Sequence, residues 1–231
     1  MRLAIWFCGV LAGWALALPK PVYLPLDSRP PSWAPCTWGL ATCPPAEFYA
    51  GRQGADPERL ERWLLDTPGS TLVASLDALA YGGLVQSRQS SLPAEEALSR
   101  LKTVIAWKLQ NGGAVYAFGI IPRHPDALDR ARNLAVLRHL QDWPEALQAG
   151  SYFEVPWDDA LPGSPAILEA QTLRLPTRPG ADEAGQLMLL RALKPGLRVQ
   201  VRYDDPAAAS EVVRYDGIPL EDSIARQVRS A

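Results

Sequence analysis

Histidine is almost missing from this chain: there are two in 231 residues, His124 and His139, both far along the sequence. That scarcity argues against a Ser-His-Asp or Cys-His nucleophile system in this segment. Cysteine is nearly as scarce, with three. Cys8 lies in the N-terminal apolar run, which leaves Cys36 and Cys43. Two cysteines with no nearby His do not make a zinc site, because structural zinc takes four ligands. No charge of one sign dominates: the formal net charge is -2 and the sequence pI is near 5.8. That balance carries no electrostatic footprint for nucleic acid, so no nucleic-acid partner is expected. No Gly-x-Gly-x-x-Gly follows the first candidate strand and no Gly-x-x-x-x-Gly-Lys loop occurs, which disfavours the usual nucleotide folds. Internal repeats and low-complexity linkers are missing too.

What is present is a chain that is 48% hydrophobic, enough to bury a real core, with 22 prolines and 8 tryptophans. The prolines imply many rigid loops. Tryptophan is a platform for flat ligands and sugars, and more often simply core. The N-terminus reads as a signal peptide over residues 1–17. Arg2 is its positive start, Leu3 to Leu16 its apolar stretch, and Ala15-Leu16-Ala17 its small-x-small cleavage pattern. The run is short for a span and ends at Pro19-Lys20-Pro21, so no stable membrane span is expected after cleavage. The expected location is periplasmic or extracellular. In such an oxidising compartment a loop-closing disulfide between Cys36 and Cys43 is open to the chain.

Residues 18–231 read as an α/β domain of repeated strand-helix units. Strands are expected over Val22–Leu26, Thr71–Leu76, Ala114–Ile121, Tyr152–Pro156 and Val199–Tyr203. Helices are expected after Asp56-Pro57 and over Ser91–Asn111, Asp126–Leu140, Ala166–Leu173, Ala181–Leu193 and Leu220–Val228. The Ser91–Asn111 helix is assigned an apolar face of Leu98, Leu101, Ile105 and Leu109. This order points to a mainly parallel sheet, either an incomplete (β/α)-barrel or open and doubly wound. The Pro- and Trp-rich stretch after the first strand reads as a long loop. The chain ends at Ala231 in what looks like mid-helix, which suggests a C-terminal truncation.

Polar residues collect just past the expected strand ends: Asp27, Ser28 and Arg29; Asp77, Tyr81 and Arg88; Arg123; Asp158 and Asp159; then Asp204 and Asp205. In parallel α/β folds sites are built on this edge, because loops from several strands converge there. Polar loops and N-caps explain any one of these positions equally well. Asp158-Asp159 is the strongest pair, since one carboxyl beside another can hold charge while its neighbour, its pKa raised, donates a proton. Asp182 and Glu183 form a second acidic cluster, which a helix first turn also explains. Arg29 can clamp an anion or pair with Asp27. Asp77, Asp158, Asp159 and Glu183 together could serve a divalent cation, although no ligand spacing supports it and no cofactor is expected.

These same residues carry a family likeness. Pro25-Leu26-Asp27-Ser28-Arg29-Pro30, and Ser75-Leu76-Asp77-Ala78-Leu79-Ala80-Tyr81-Gly82-Gly83-Leu84-Val85-Gln86-Ser87-Arg88, resemble the signatures of the bacterial domain-of-unknown-function 4127 family. Arg132-Asn133, Asp158-Asp159 with Glu169, Pro179-Gly180-Ala181-Asp182-Glu183, Tyr215 and Pro219-Leu220-Glu221-Asp222-Ser223-Ile224 follow in the family's order. The resemblance implies a longer protein, of which this is the N-terminal part. Its Asp pair is usually preceded by Gln and followed by Tyr-Gly, whereas here Trp157 precedes and Leu161-Pro162-Gly163 follows. A looser analogy runs to substrate-assisted hexosaminidases, in which one Asp of a pair at a strand end polarises the substrate and the other is acid/base.

The expected function is a carbohydrate-active hydrolase with Asp158, Asp159, Asp182 and Glu183 as catalytic candidates. Asp27, Arg29, Asp77, Tyr81, Arg88, Asn133 and Glu169 are the candidates for holding a small-molecule or carbohydrate ligand. The alternative is a solute- or sugar-binding protein without turnover.

Overall fold

The computed structural model describes residues 3–8, 19–123, 127–143, 150–158, 163–193, 198–203, 205–213 and 218–230. The chain opens with strand β1 (Leu3–Cys8), the stretch expected to be the core of a signal peptide. Five strands then form one parallel sheet: β2 (Val22–Leu24), β3 (Thr71–Ser75), β4 (Ala114–Phe118), β5 (Ser151–Trp157) and β6 (Thr177–Pro179). They lie side by side in chain order. The sheet is open and does not close into a barrel. A short parallel bridge covers its β2 edge, where Tyr23 N–H donates to Thr42 O at 2.8 Å and Thr42 N–H to Pro21 O at 2.9 Å. At the other edge β6 is three residues long and ends in Pro179, which has no N–H to offer a further strand. β7 (Arg198–Tyr203) does not extend this sheet, as the sequence pattern suggested; it pairs antiparallel with β1.

Alternation along the strands splits the core in two. Val22, Leu24, Leu72, Ala74, Val115, Ala117 and Val155 point to one face. Helices α2 (Pro57–Asp66), α3 (Leu76–Tyr81), α5 (Ala94–Asn111), α6 (Ala127–Leu140) and α7 (Pro165–Gln171) lie on that side. Tyr23, Val73 and Phe118 point to the other face, which α8 (Ala184–Leu193) covers with Ala184, Met188 and Leu189. Strand order that follows chain order sends the crossover helices to one face, so the returning α8 is free to fill the opposite one.

The helix starts obey local chemistry. Asp56 caps α2, its carboxylate accepting from Glu58 N–H at 3.1 Å and Arg59 N–H at 3.2 Å, with Pro57 at the first position. In α5 the buried stripe is Ala97, Leu101, Val104 and Trp107, while Leu109 is 76% exposed. The expected face of Leu98, Leu101, Ile105 and Leu109 is therefore rotated, because α5 packs against α2, α3 and α6 as well as the sheet. The expected loop after β2 contains a helix, α1 (Pro30–Thr37). Pro30 and Pro31 sit where helical N–H groups have no partner anyway. Pro35 cannot donate to the carbonyl of Pro31, and Gln186 Nε2 from α8 takes that carbonyl at 2.6 Å instead. Cys36 at the end of α1 is disulfide-bonded to Cys43.

Two further short elements lie where only loop was expected. β3 runs directly into α3, with Ser75 Oγ accepting from Ala78 N–H at 3.2 Å as its cap. Gly82, at φ +97°, then ends α3, and a Cβ there would meet Ala55 O at 2.5 Å. α4 (Leu84–Ser87) follows at once. The expected helix from Ala181 begins only at Ala184, so Asp182 and Glu183 lie in the turn after β6. Asp205 belongs to the β1–β7 side of the chain, where it caps a 3-10 turn by accepting from Ala207 N–H at 2.9 Å. It is therefore not part of the sheet edge, and Asp204 lies outside the described residues. The last helix is α9 (Leu220–Ser230), with Leu220 and Ile224 buried.

Candidate functional site

The loops at the C-terminal ends of β2 to β6 bring a set of carboxylates and guanidinium groups to one edge. At the exit of β2, Tyr49 Oη donates to Pro25 O at 3.0 Å and fixes the backbone. Two residues on, Asp27 accepts from Arg29 N–H at 3.1 Å and from Arg29 Nε at 2.8 Å. Arg29 Nη2 also lies 2.7 Å from Asp27 and 2.8 Å from Asp182, which joins the first loop to the last. Burial works against the Arg29 charge, and these two acids more than offset it, holding its pKa above the usual range.

Asp77, in the first turn of α3, is 5% exposed and accepts the backbone N–H of Ile120 at 2.8 Å through Oδ2. Burial pushes its pKa up to about 7, against the pull of that N–H and of Arg88; the charge of Asp158 adds to the rise. Tyr81, one turn along, has its hydroxyl buried with no hydrogen-bond partner among the described residues. Burial and then the Asp77 charge raise its pKa. The Arg132 guanidinium lies over its ring, 5.1 Å from the centroid.

Asp158 sits at the exit of β5, its N–H bonded to Ile121 O at 3.0 Å. Arg88 Nη2 donates to Asp158 Oδ2, and Arg123 Nε lies 3.6 Å from the same oxygen. Burial pushes Asp158 up to about 6, while Arg88 and Arg123 hold it down. The Arg88 guanidinium has its pKa lowered by burial and, despite Asp158, by the like charges of Arg123 and Arg29. The edge is therefore one electrostatic unit built from Asp27, Arg29, Asp77, Arg88, Arg123, Asp158 and Asp182.

Two candidates sit behind this unit, Asn133 holding backbone and Glu169 holding the arginine that does. Asn133 is 3% exposed; its Nδ2 donates to Ser87 O at 2.8 Å, and its Oδ1 accepts from Arg132 Nε at 3.2 Å and Nη2 at 3.0 Å. Arg132 also donates to Ser87 O at 2.5 Å, to Ser90 O and to Asp129. Both residues thus grip the carbonyl immediately before Arg88. Glu169 takes Arg130 in a two-pronged pair, and Arg130 Nη1 donates to Pro122 O at 2.9 Å and Arg123 O at 3.1 Å. Glu183 is half-buried in the turn before α8, and its carbonyl accepts from Leu187 N–H at 3.1 Å. Asp159 lies outside the described residues. Among the described residues no three of His, Cys, Asp and Glu converge as a metal-ligand set; Asp27, Asp158 and Asp182 take arginines, and Asp77 takes a backbone N–H. Nor is any described helix long and apolar enough to cross a membrane.

The family of proteins of unknown function DUF4127 matches residues 21–148 and 129–231. The chain belongs to the DUF4127 family. No curated protein and no solved structure matches it. In this DUF4127 protein the Pro25–Pro30 and Ser75–Arg88 blocks form the β2 exit and the β3–α3–α4 exit, and their charged residues meet across the sheet edge.

Three further residues take part beyond the catalytic and ligand-holding candidates. Arg123 belongs to the polar edge by pattern, and only the fold shows that it faces Asp158. Glu154 and Arg178 pair at 2.6 Å across neighbouring strands, and Arg178 Nη1 donates to Gly180 O at 3.2 Å, two residues before Asp182. Nothing in their local sequence marks them.

Proposed function

We propose that this DUF4127 protein is a carbohydrate-active hydrolase that cleaves glycosidic bonds at the C-terminal edge of its parallel sheet. The observation that carries this reading is Asp158, a buried strand-end carboxyl pushed up to about 6 and close enough to Asp77 to raise that group as well. Carboxyls that titrate near neutrality suit general acid and base work, since each is available in both protonation states. Asp158 is the acid, protonating the glycosidic oxygen as its bond to the anomeric carbon breaks and water adds to that carbon. Asp159, as its sequence neighbour, is the candidate for orienting the substrate. Asp27, Arg29, Tyr81, Asp182 and Glu183 are the groups around the sugar. Asn133 acts through the Ser87 carbonyl it holds, and Glu169 through Arg130.

An exported location fits this chemistry. The support is the N-terminal sequence pattern together with the Cys36–Cys43 disulfide, a bond that persists in oxidising compartments. N-terminal sequencing of protein from the cell envelope should start at residue 18; a start at Met1 would remove the assignment.

One observation favours a second reading, solute binding without turnover. Asp27, Asp158 and Asp182 are already paired with arginines, a state suited to recognition. The deciding experiment is hydrolysis of a panel of aryl glycosides, N-acetylhexosaminides included, by the wild type and by Asp158→Asn. Turnover that the substitution abolishes, in a variant that melts like the parent, supports the hydrolase. Sugar binding with no turnover on any substrate moves the weight to the binding protein.

A further inference from the structure

We propose that the sugar held at this edge is an acidic one, and that Arg88, with Arg29 and Arg123 beside it, receives the sugar's carboxylate. This rests on the glycosidic reading above and narrows its substrate class.

Three guanidinium groups reach the edge from three successive loops, after β2, β3 and β4. Arg88 Nη2 donates to Asp158, while its Nε is buried with no hydrogen-bond partner among the described residues. A guanidinium presents Nε and Nη as a rigid fork that matches the two oxygens of a planar carboxylate. Asp158 takes Nη2 and leaves Nε unfilled, so a ligand carboxylate that takes both displaces Asp158 from Nη2 and satisfies a buried donor that the protein leaves open. The Arg88 side chain is itself 13% exposed, and the approach to it is over the Arg29 and Arg123 side chains, 45% and 28% exposed. Arg29 and Arg123 both disfavour the charged form of Arg88, and Asp158 and Asp182 offset them. An incoming anion that displaces Asp158 from Arg88 keeps the arginines compensated, which a neutral sugar cannot do.

This arrangement also links recognition to the acid. The charged groups acting on Asp158 are Arg88, Arg123, Asp182 and Arg29, with Asp77 nearby. When the ligand carboxylate takes Arg88, Asp158 loses its nearest counter-charge and binds a proton from solvent, the proton an acid at that position must deliver. Substrate binding then arms the donor.

The test is calorimetric titration of the full chain with matched methyl glycosides, glucuronides against glucosides and galacturonides against galactosides. It is run at pH 7 in two buffers of different ionisation enthalpy. The acidic member of a pair should bind about ten-fold more tightly, as expected for one charge-assisted hydrogen-bonded pair. Its binding should weaken with salt and take up a fraction of a proton. Arg29→Gln, at a half-exposed position with little risk to the fold, should cut the preference, and Arg88→Gln should remove it together with the proton uptake. Equal affinity for acidic and neutral partners overturns the inference and leaves the glycosidic reading standing. Binding of a plain dicarboxylate as tight as that of the acidic sugars, or no binding of any sugar, overturns both.

Discussion

The backbone N–H of Ile120 donates to Asp77 Oδ2 at 2.8 Å, tying the exit of β3 to the exit of β4. The bond fixes where Asp77 sits, and burial decides how it titrates. An unfolded Asp titrates near 3.8, whereas the folded Asp77 keeps its proton up to about 7. Between those values the native state holds a proton that the unfolded state has released. Stability therefore falls as pH rises from about 4 to about 7 and is level above that. Asp158, pushed up to about 6, adds a slope of the same sign over a narrower window. Asp77→Asn keeps an acceptor for Ile120 and cannot ionise. It should be more stable than the wild type at pH 8 by on the order of 1 kcal/mol or more, with the gap closing toward pH 4. Urea unfolding at several pH values measures this, and a gap that does not change with pH would contradict it.

Asn133 should matter without touching a ligand. Its amide donates to Ser87 O, the carbonyl immediately before Arg88. Asn133→Ala removes a buried hydrogen bond and should cost about 1–3 kcal/mol, seen as a lower urea midpoint at unchanged slope. Asn133→Asp places an acceptor against that carbonyl and should be worse than Ala. A variant in which Asp is tolerated better than Ala would show that the Ser87 contact is not what holds this site.

Reducing the Cys36–Cys43 bond releases the end of α1, which packs against α8 beside the site. Closing so short a loop is worth about 2–3 kcal/mol through the unfolded chain. The melting temperature should drop on adding a thiol reductant, and a Cys36→Ser, Cys43→Ser double variant should melt at the reduced value and ignore the reductant. A melting temperature indifferent to reductant in the wild type would contradict the bond's contribution.

The parallel sheet and its polar edge were legible because both follow from periodicity: apolar strands, amphipathic helices and charged residues just beyond each strand. Elements that depend on distant partners were hidden. α1 begins with two prolines and carries a third, and its open carbonyl is filled by Gln186, 155 residues later in the chain. β6 has only three residues and no apolar run. β7 looks like any other strand, and only its pairing with β1 removes it from the sheet. The candidate site was legible as acids but not as a network. Asp158 stood out as half of an acidic dipeptide, yet its partners Arg88 and Arg123 come from loops 70 and 35 positions away. Asn133 and Glu169 were recognisable by resemblance, and only the structure shows that Asn133 donates to Ser87 O and that Glu169 pairs with Arg130.

The most direct test is a carbon-13 NMR titration of the Asp158 carboxyl in the wild type and in Arg88→Gln, since the proposed chemistry requires this group to exchange a proton near neutrality. Asp158 should titrate near 6 in the wild type and higher in Arg88→Gln, where a guanidinium that holds it down has gone. An Asp158 that stays ionised down to about pH 4, the ordinary range for Asp, would contradict the account, because such a group has no proton to give.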